Sequence, residues 1–223
     1  MPNPASPPSA DFASSIPRLV WRLYARCPPR IRAFAWARTL ICPFGRLLDA
    51  VPKEGRIVDV GCGTGLFANL LALQSGERWI QGYDLDPTVI AAAQTAAAGR
   101  ANIAFAVADV SAVMHQSTPP VAVTAIDLFH HLPPARQPAM IQAIYAMLGR
   151  GGLFMLKDID ATPMWKRWAN WWHDALVARG NPRIFVRSRR DYEALLAAAG
   201  FTVETVLMPQ AYLAHVLYLC RKN

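Results

Sequence analysis

Cysteine is scarce in this chain: Cys27, Cys42, Cys62 and Cys220 are the four among 223 residues. No two of them form a Cys-x-x-Cys pair or a metal-ligand spacing, which excludes a disulfide scaffold and a zinc site and points to a reducing compartment. Acidic residues are also in deficit, 15 against 23 basic ones, for a net charge of +8. That balance invites an anionic partner. No uninterrupted apolar run reaches the length of a bilayer, since the greasiest stretch, residues 201–219, is broken by Glu204, Pro209 and Gln210. The first residues are rich in Pro and Ser instead of basic and then apolar, so no secretory signal is expected. A cytoplasmic protein is the expectation, with a peripheral position at the inner membrane surface as an addition to it. With 53% hydrophobic residues, the chain has enough apolar surface for a full core.

What is present begins with Val58-Asp59-Val60-Gly61-Cys62-Gly63-Thr64-Gly65-Leu66-Phe67. Ile57, Val58 and Val60 suit a buried parallel strand, and Leu66, Phe67, Leu70, Leu71 and Leu73 suit the apolar face of the helix that follows. Gly61, Gly63 and Gly65 let the backbone turn tightly and approach a nucleotide-like ligand. The position that would complete the dinucleotide fingerprint Gly-x-Gly-x-x-Gly is Leu66, which argues against a pyrophosphate. About twenty residues on, the apolar segment from Trp79 to Tyr83 delivers Asp84 to the carboxyl end of a second parallel strand, where a carboxylate can accept both ribose hydroxyls. Asp86 before Pro87 reads as a helix N-cap with proline at the first helical position. A third strand over residues 103–107 ends at Asp109.

Together the glycine loop, Gly82-Tyr83-Asp84-Leu85-Asp86 and Val107-Ala108-Asp109-Val110 resemble the class I S-adenosylmethionine-dependent methyltransferases of small-molecule type. The resemblance covers about residues 55–223. It implies S-adenosyl-L-methionine as cofactor, held by Asp59, Gly61, Cys62, Gly63, Gly65, Asp84, Leu85, Asp109, Val110 and Asp127. In that scheme Asp109 meets the exocyclic amine of the adenine, Leu85 and Val110 are the apolar walls about it, and Asp127 lines the methionine end. Asp109 has a second reading as a helix cap, together with Ser111. Cys62 is expected to be a packing residue. The implied fold is α/β, a Rossmann-like doubly wound sheet of seven strands with the last antiparallel, helices on both faces and an N-terminal helical extension.

Further strands are expected at residues 121–126 and 153–156, separated by a helix at 138–148, and a closing pair at 201–206 and 213–219. Ser188 with Asp191 three residues later reads as a capping box for a helix ending at Gly200. Residues 1–17, with Pro2, Pro4, Pro7, Pro8 and Pro17, are expected to be a disordered leader. Residues 18–51 form a basic amphipathic extension or cap, with Arg18, Arg22 and Arg26 at helical spacing beside Leu19, Trp21, Leu23 and Tyr24. Residues 52–223 then make up the methyltransferase domain. Basic and aromatic residues mixed on short helices suit an anionic membrane surface or an acidic acyl carrier protein; the alternative is a cap whose arginines face water.

Substrate-side groups should come from the loops after the fourth and fifth strands. There the chain offers Asp127, His130 and His131, then Lys157, Asp158, Ile159 and Asp160. Histidine is the natural base near neutral pH, so His130, His131, Asp158 and His173 are the catalytic candidates, with His173 pairing Asp158 or Asp160. Residues 162–178 place Trp165, Trp168, Trp172 and Leu176 on one helical stripe, either core or a lid over a large apolar acceptor. No ligand spacing supports a metal. Base methyltransferases acting on exocyclic amines generally show Asn/Asp-Pro-Pro-aromatic after the fourth strand. Here Asp127-Leu128-Phe129-His130 stands there, and no cysteine is placed for cytosine-carbon chemistry, which sets nucleic acid aside. The expected acceptor is a hydrophobic, aromatic small molecule methylated on a hydroxyl, either free, dissolved in a membrane or tethered to a carrier. Carbon or nitrogen methylation of a lipid-like or quinone-like acceptor, and a non-catalytic cofactor-binding protein that docks through its basic helices, are the alternatives.

Overall fold

The computed structural model describes residues 10–109, 118–160, 184–209 and 214–223. The chain divides into two compact units, Met1–Val110 and Ser111–Asn223: in the first, β1 (Gly55–Val60), β2 (Arg78–Asp84) and β3 (Ile103–Val107) are ordered β3-β2-β1, and in the second, β4 (Ala122–Ile126), β5 (Leu153–Ile159), β6 (Phe201–Pro209) and β7 (Ala214–Lys222) are ordered β4-β5-β7-β6.

The first unit opens with α1 (Ala10–Leu23), α2 (Pro29–Ile41) and α3 (Phe44–Ala50). Helix α1 starts inside the stretch expected to be a leader and carries Pro17 within it. A proline in a helix interior costs about 3 kcal/mol. Burial of Ile16, Val20 and then Tyr24 at four-residue spacing, each at most 4% exposed, offsets that with about 1.5–3 kcal/mol per aliphatic side chain. Pro29 begins α2, where its missing N–H has no partner to lose.

Strands β1 (Gly55–Val60), β2 (Arg78–Asp84) and β3 (Ile103–Val107) run parallel, with Val60 beside Tyr83 and Tyr83 beside Ala106. Between them lie α4 (Leu66–Gln74) and α5 (Pro87–Ala97). Helix α4 is buried from Leu66 through Ala72, as an all-round apolar helix must be. The expected cap of α5 is present: the Asp86 carboxylate accepts from the Thr88 N–H at 2.7 Å.

One buried cation ties this unit together. The Arg78 guanidinium donates to the carbonyls of Leu48 (3.3 Å), Val51 (2.9 Å), Pro52 (2.7 Å) and Leu71 (3.0 Å) and to Gln74 Oε1 (2.8 Å). Burial lowers its pKa to about 10, against the pull of Asp49.

The second unit holds β4 (Ala122–Ile126), a single 3₁₀ turn (Phe129–His131), α6 (Gln137–Met147), β5 (Leu153–Ile159), α7 (Arg189–Ala198), β6 (Phe201–Pro209) and β7 (Ala214–Lys222). β4 and β5 are parallel, while β7 runs antiparallel to both β5 and β6. The Ser188 capping box forms as expected, the serine oxygen accepting from the Asp191 N–H at 3.2 Å and donating to its carboxylate at 2.7 Å. Phe129, Phe154, Tyr192 and Tyr218 are fully buried and in ring contact along a chain that also takes in Phe201. β5 is longer than expected: residues 157–159, read from sequence as a loop, continue the strand and pair with Leu217, Val216 and His215. Two charged side chains obscured that extension, and each has a side-chain partner described below. Among the described residues, no helix is long and apolar enough to cross a membrane.

Candidate functional site

Parallel order brings the carboxyl ends of β1, β2 and β3 side by side, and three hydrogen bonds fasten them. The Cys62 N–H donates to the Tyr83 carbonyl (3.0 Å), the Gly63 N–H to Asp84 Oδ2 (2.9 Å), and the Ala108 N–H to the Asp84 carbonyl (3.0 Å). The other Asp84 oxygen, Oδ1, accepts from the Asp86 N–H at 3.1 Å. Asp84 is thus fixed at the junction of the three segments that the sequence singled out.

The glycines divide the labour. At Gly63 (φ +53°) nothing lies within 4 Å of where a Cβ would stand, so open space adjoins the backbone there. At Gly65 (φ +76°) a Cβ would meet the Phe105 ring at 2.6 Å and Ala93 at 2.8 Å. Gly63 adjoins open space, whereas at Gly65 the missing side chain makes room for Phe105 and Ala93. Gly61 also has positive φ. Asp59 is buried at the end of β1. The Cys62 thiol is pushed far up, first by burial and then by the charges of Asp59 and Asp84, so it stays protonated and inert, in keeping with a packing role.

The carbonyls of the loop are tied back by side chains that sequence reasoning did not identify. Tyr24 OH donates to the Thr64 carbonyl at 2.8 Å, and Asn69 Nδ2 to the Gly65 carbonyl at 2.7 Å. Arg100 in turn donates to Asn69 Oδ1. Tyr24 and Asn69 are fully buried. A buried tyrosine at a helix end normally reads as core, and only its long-range partner marks it otherwise. Leu85 is 64% exposed, an apolar side chain left uncovered beside Asp84. Asp109 is half-buried just beyond β3, and Val110 lies outside the described residues.

In the second unit the acids and histidines pair. His130 Nδ1 lies 2.5 Å from Asp158 Oδ1, with both side chains at most 2% exposed. Asp158 also accepts from the backbone N–H of His130 (3.1 Å) and of Ile159 (2.7 Å). The His130 carbonyl accepts from the Phe185 N–H at 2.7 Å. His131 is exposed, its ring 4.0 Å from that of His130. Asp158 thus pairs with His130, while His173, expected to pair with Asp158 or Asp160, falls outside the described residues, like the tryptophan stripe at 162–178. Asp127 is the one described non-glycine residue with positive φ, +55°. Its carboxylate meets the fully buried Lys157 Nζ at 2.5 Å, which offsets a backbone strain of about 1–3 kcal/mol. No cluster of three or more potential ligands that could hold a metal ion occurs among the described residues.

A methyltransferase-domain family model matches residues 33–206. The chain is 29% identical over 171 residues to trans-aconitate 2-methyltransferase of Methylobacterium nodulans, a match covering 73% of this chain and 64% of that protein. Among solved structures, magnesium protoporphyrin IX methyltransferase of Synechocystis PCC 6803 with bound SAH is similar at a TM-score of 0.65 and 17% identity, covering 95% of this chain and 96% of that one. Human N-acetylserotonin methyltransferase with SAM gives a TM-score of 0.65 at 17% identity, over 97% and 60% of the two chains. The residues fit S-adenosylmethionine: open backbone at Gly63, a fixed carboxylate at Asp84 and uncovered Leu85 adjoin one another at the ends of parallel strands. A loop built this way, in a chain matched by that domain model over most of its length, belongs to the class I S-adenosylmethionine-dependent methyltransferase family.

Proposed function

We propose that this methyltransferase acts on a hydroxyl of a hydrophobic, aromatic small molecule, with His130 as the base. Asp84 would hold the ribose, Gly63 the backbone-facing side of the ligand, and Leu85 one face of the adenine. When bound, the cofactor supplies a methyl group on a sulfonium, an electrophile that needs alignment more than activation.

The observation that carries the proposal is the buried His130–Asp158 pair. A phenol has a pKa of about 10 and is protonated at neutral pH, so a base within hydrogen-bond reach assists its attack. With Nδ1 engaged by the carboxylate, Nε2 is the atom that takes the hydroxyl proton. Asp158, held by two backbone N–H groups, fixes the ring and stabilises the imidazolium that results. Asp158 is a positioning residue in this scheme.

A second reading is favoured by the relative whose name specifies trans-aconitate. A carboxylate acceptor is ionised at neutral pH and needs no base. The two readings therefore separate on His130: replacing it would slow methylation of a hydroxyl by about 10²–10⁴ and leave methylation of a carboxylate intact.

The test is label transfer. Purified protein with methyl-labelled S-adenosylmethionine is offered phenols, quinone-like lipids, carrier-bound aryl acids and trans-aconitate. Base-labile methyl ester formed from trans-aconitate alone would overturn the hydroxyl assignment; label retained as an aryl ether supports it.

A further inference from the structure

From Phe12 to Leu48 the chain contains seven arginines, Arg18, Arg22, Arg26, Arg30, Arg32, Arg38 and Arg46, and not one Asp, Glu or Lys. That segment alone supplies charge equal to seven of the eight net positive charges of the whole protein. It folds as α1, α2 and the start of α3. Arg18, Arg22, Arg26, Arg30 and Arg46 are exposed.

Apolar side chains stand uncovered among them. Trp21 is 44%, Trp36 39% and Leu40 62% exposed. Trp36 and Leu40 are one turn apart on α2, and the Trp21 and Trp36 rings meet edge to face with centroids 6.3 Å apart. The Arg32 guanidinium lies 3.9 Å above the Trp21 ring, and its Nε donates to the Trp21 carbonyl at 2.9 Å. The two indoles are consequently held in place, so little side-chain freedom remains to be lost when they engage a surface.

We infer that this face of α1 and α2 docks on an anionic membrane surface. Indole rings prefer the boundary between headgroups and acyl chains, and Leu40 can enter the apolar side of it. The arginines can keep their stems along apolar surface and their guanidinium groups among the phosphates. Each basic residue near an anionic leaflet strengthens binding about fivefold, and the absence of acidic residues means that nothing in the segment opposes it. An acidic protein would answer the arginines but gives no reason for the exposed Leu40. The inference holds whichever acceptor is methylated. For an apolar acceptor it would place the enzyme where such a molecule dissolves.

The test uses the full chain and sedimentation with vesicles of phosphatidylcholine alone or mixed with phosphatidylglycerol. Binding should require phosphatidylglycerol, weaken with added salt, and fall about twentyfold or more in the Arg22→Gln, Arg26→Gln double variant. Brominated acyl chains should quench a component of the tryptophan fluorescence that is absent from the Trp21→Ala, Trp36→Ala variant. If the tryptophan variant melts early, the arginine variant carries the test, because both its positions are exposed. Equal binding to the two vesicle types, or vesicle binding untouched by the arginine changes, overturns the inference. So does arginine-dependent binding to duplex DNA or to an acidic carrier protein by a chain that ignores vesicles.

Discussion

The phenolic hydroxyl of Tyr24 donates to the carbonyl of Thr64, 2.8 Å away and forty residues on, at the centre of the glycine loop. The N-terminal helical segment is thereby tied to the glycine loop. Together with Asn69 on Gly65, Tyr24 ties two carbonyls of the loop to the protein interior and so holds the backbone on either side of the open space at Gly63. Tyr24→Phe removes one net hydrogen bond of about 0.5–1.5 kcal/mol. Calorimetry should show S-adenosylmethionine affinity falling about twofold to tenfold, with a small drop in thermal stability.

Gly63 and Gly65 should respond differently to alanine. Gly65→Ala combines left-handed backbone, costing about 1–2 kcal/mol, with a collision against Phe105 and Ala93 worth about 1–3 kcal/mol. Loss of fold stability is expected there. At Gly63 the added methyl enters open space, so only the backbone term acts on stability, and the larger effect is on cofactor binding. Denaturant midpoints beside binding isotherms check both; an equal stability loss at the two sites contradicts the division of roles.

Asp84→Asn should cost about 1.5–3 kcal/mol in cofactor affinity, the range for hydrogen bonds to a charged group. Gly63 and Asp86 donate to different carboxylate oxygens, so an amide keeps an acceptor for only one of them and turns an NH2 toward the other, and the melting temperature should fall modestly as well. Unchanged affinity would remove Asp84 from the site.

His130→Gln should lower kcat on a hydroxyl acceptor by about 10²–10⁴, the usual range for a general base. The acid limb of kcat against pH should vanish with it. Asp158→Asn should retain that limb but shift it to lower pH, since the neighbouring negative charge no longer favours the imidazolium. A purely structural pair would lose stability in both variants and leave the limb where it was.

Burial raises the pKa of the Tyr24, Tyr192 and Tyr218 phenols well above the ordinary value, with the Asp158 charge adding to the effect at Tyr192 and Asp160, Glu193 and Asp158 at Tyr218. The folded state holds these protons where the unfolded chain releases them. Their contribution to stability is therefore full below about pH 10, the unfolded value, and is lost as pH rises beyond it. Phenolate absorbance should show three of the six tyrosines ionising only as circular dichroism reports unfolding.

Much of the cofactor half was legible because its constraints are local. Three glycines within five residues, an apolar run ending at Asp84 and a proline after Asp86 each declare a backbone requirement within a few positions. His130 and Asp158 are twenty-eight residues apart, and nothing near either names the other. The same holds for Tyr24. Lys157 and Asp158 broke the apolar pattern by which β5 would have been recognised, since a strand that buries charge is readable only once its partners are known. Phe105 shows the converse: it reads as an ordinary strand hydrophobe, yet its ring is the reason Gly65 and Gly82 tolerate no side chain.

Arg78 bears on how a smaller version of this protein could be made. A fragment beginning at β1 would keep every residue of the glycine loop, yet it would discard Leu48, Val51 and Pro52, three of the oxygens that solvate the guanidinium. The orphaned cation would seek water at the root of β2, prying open the strand that delivers Asp84. Domain trimming should therefore leave residues 44–54 in place or replace Arg78 at the same time.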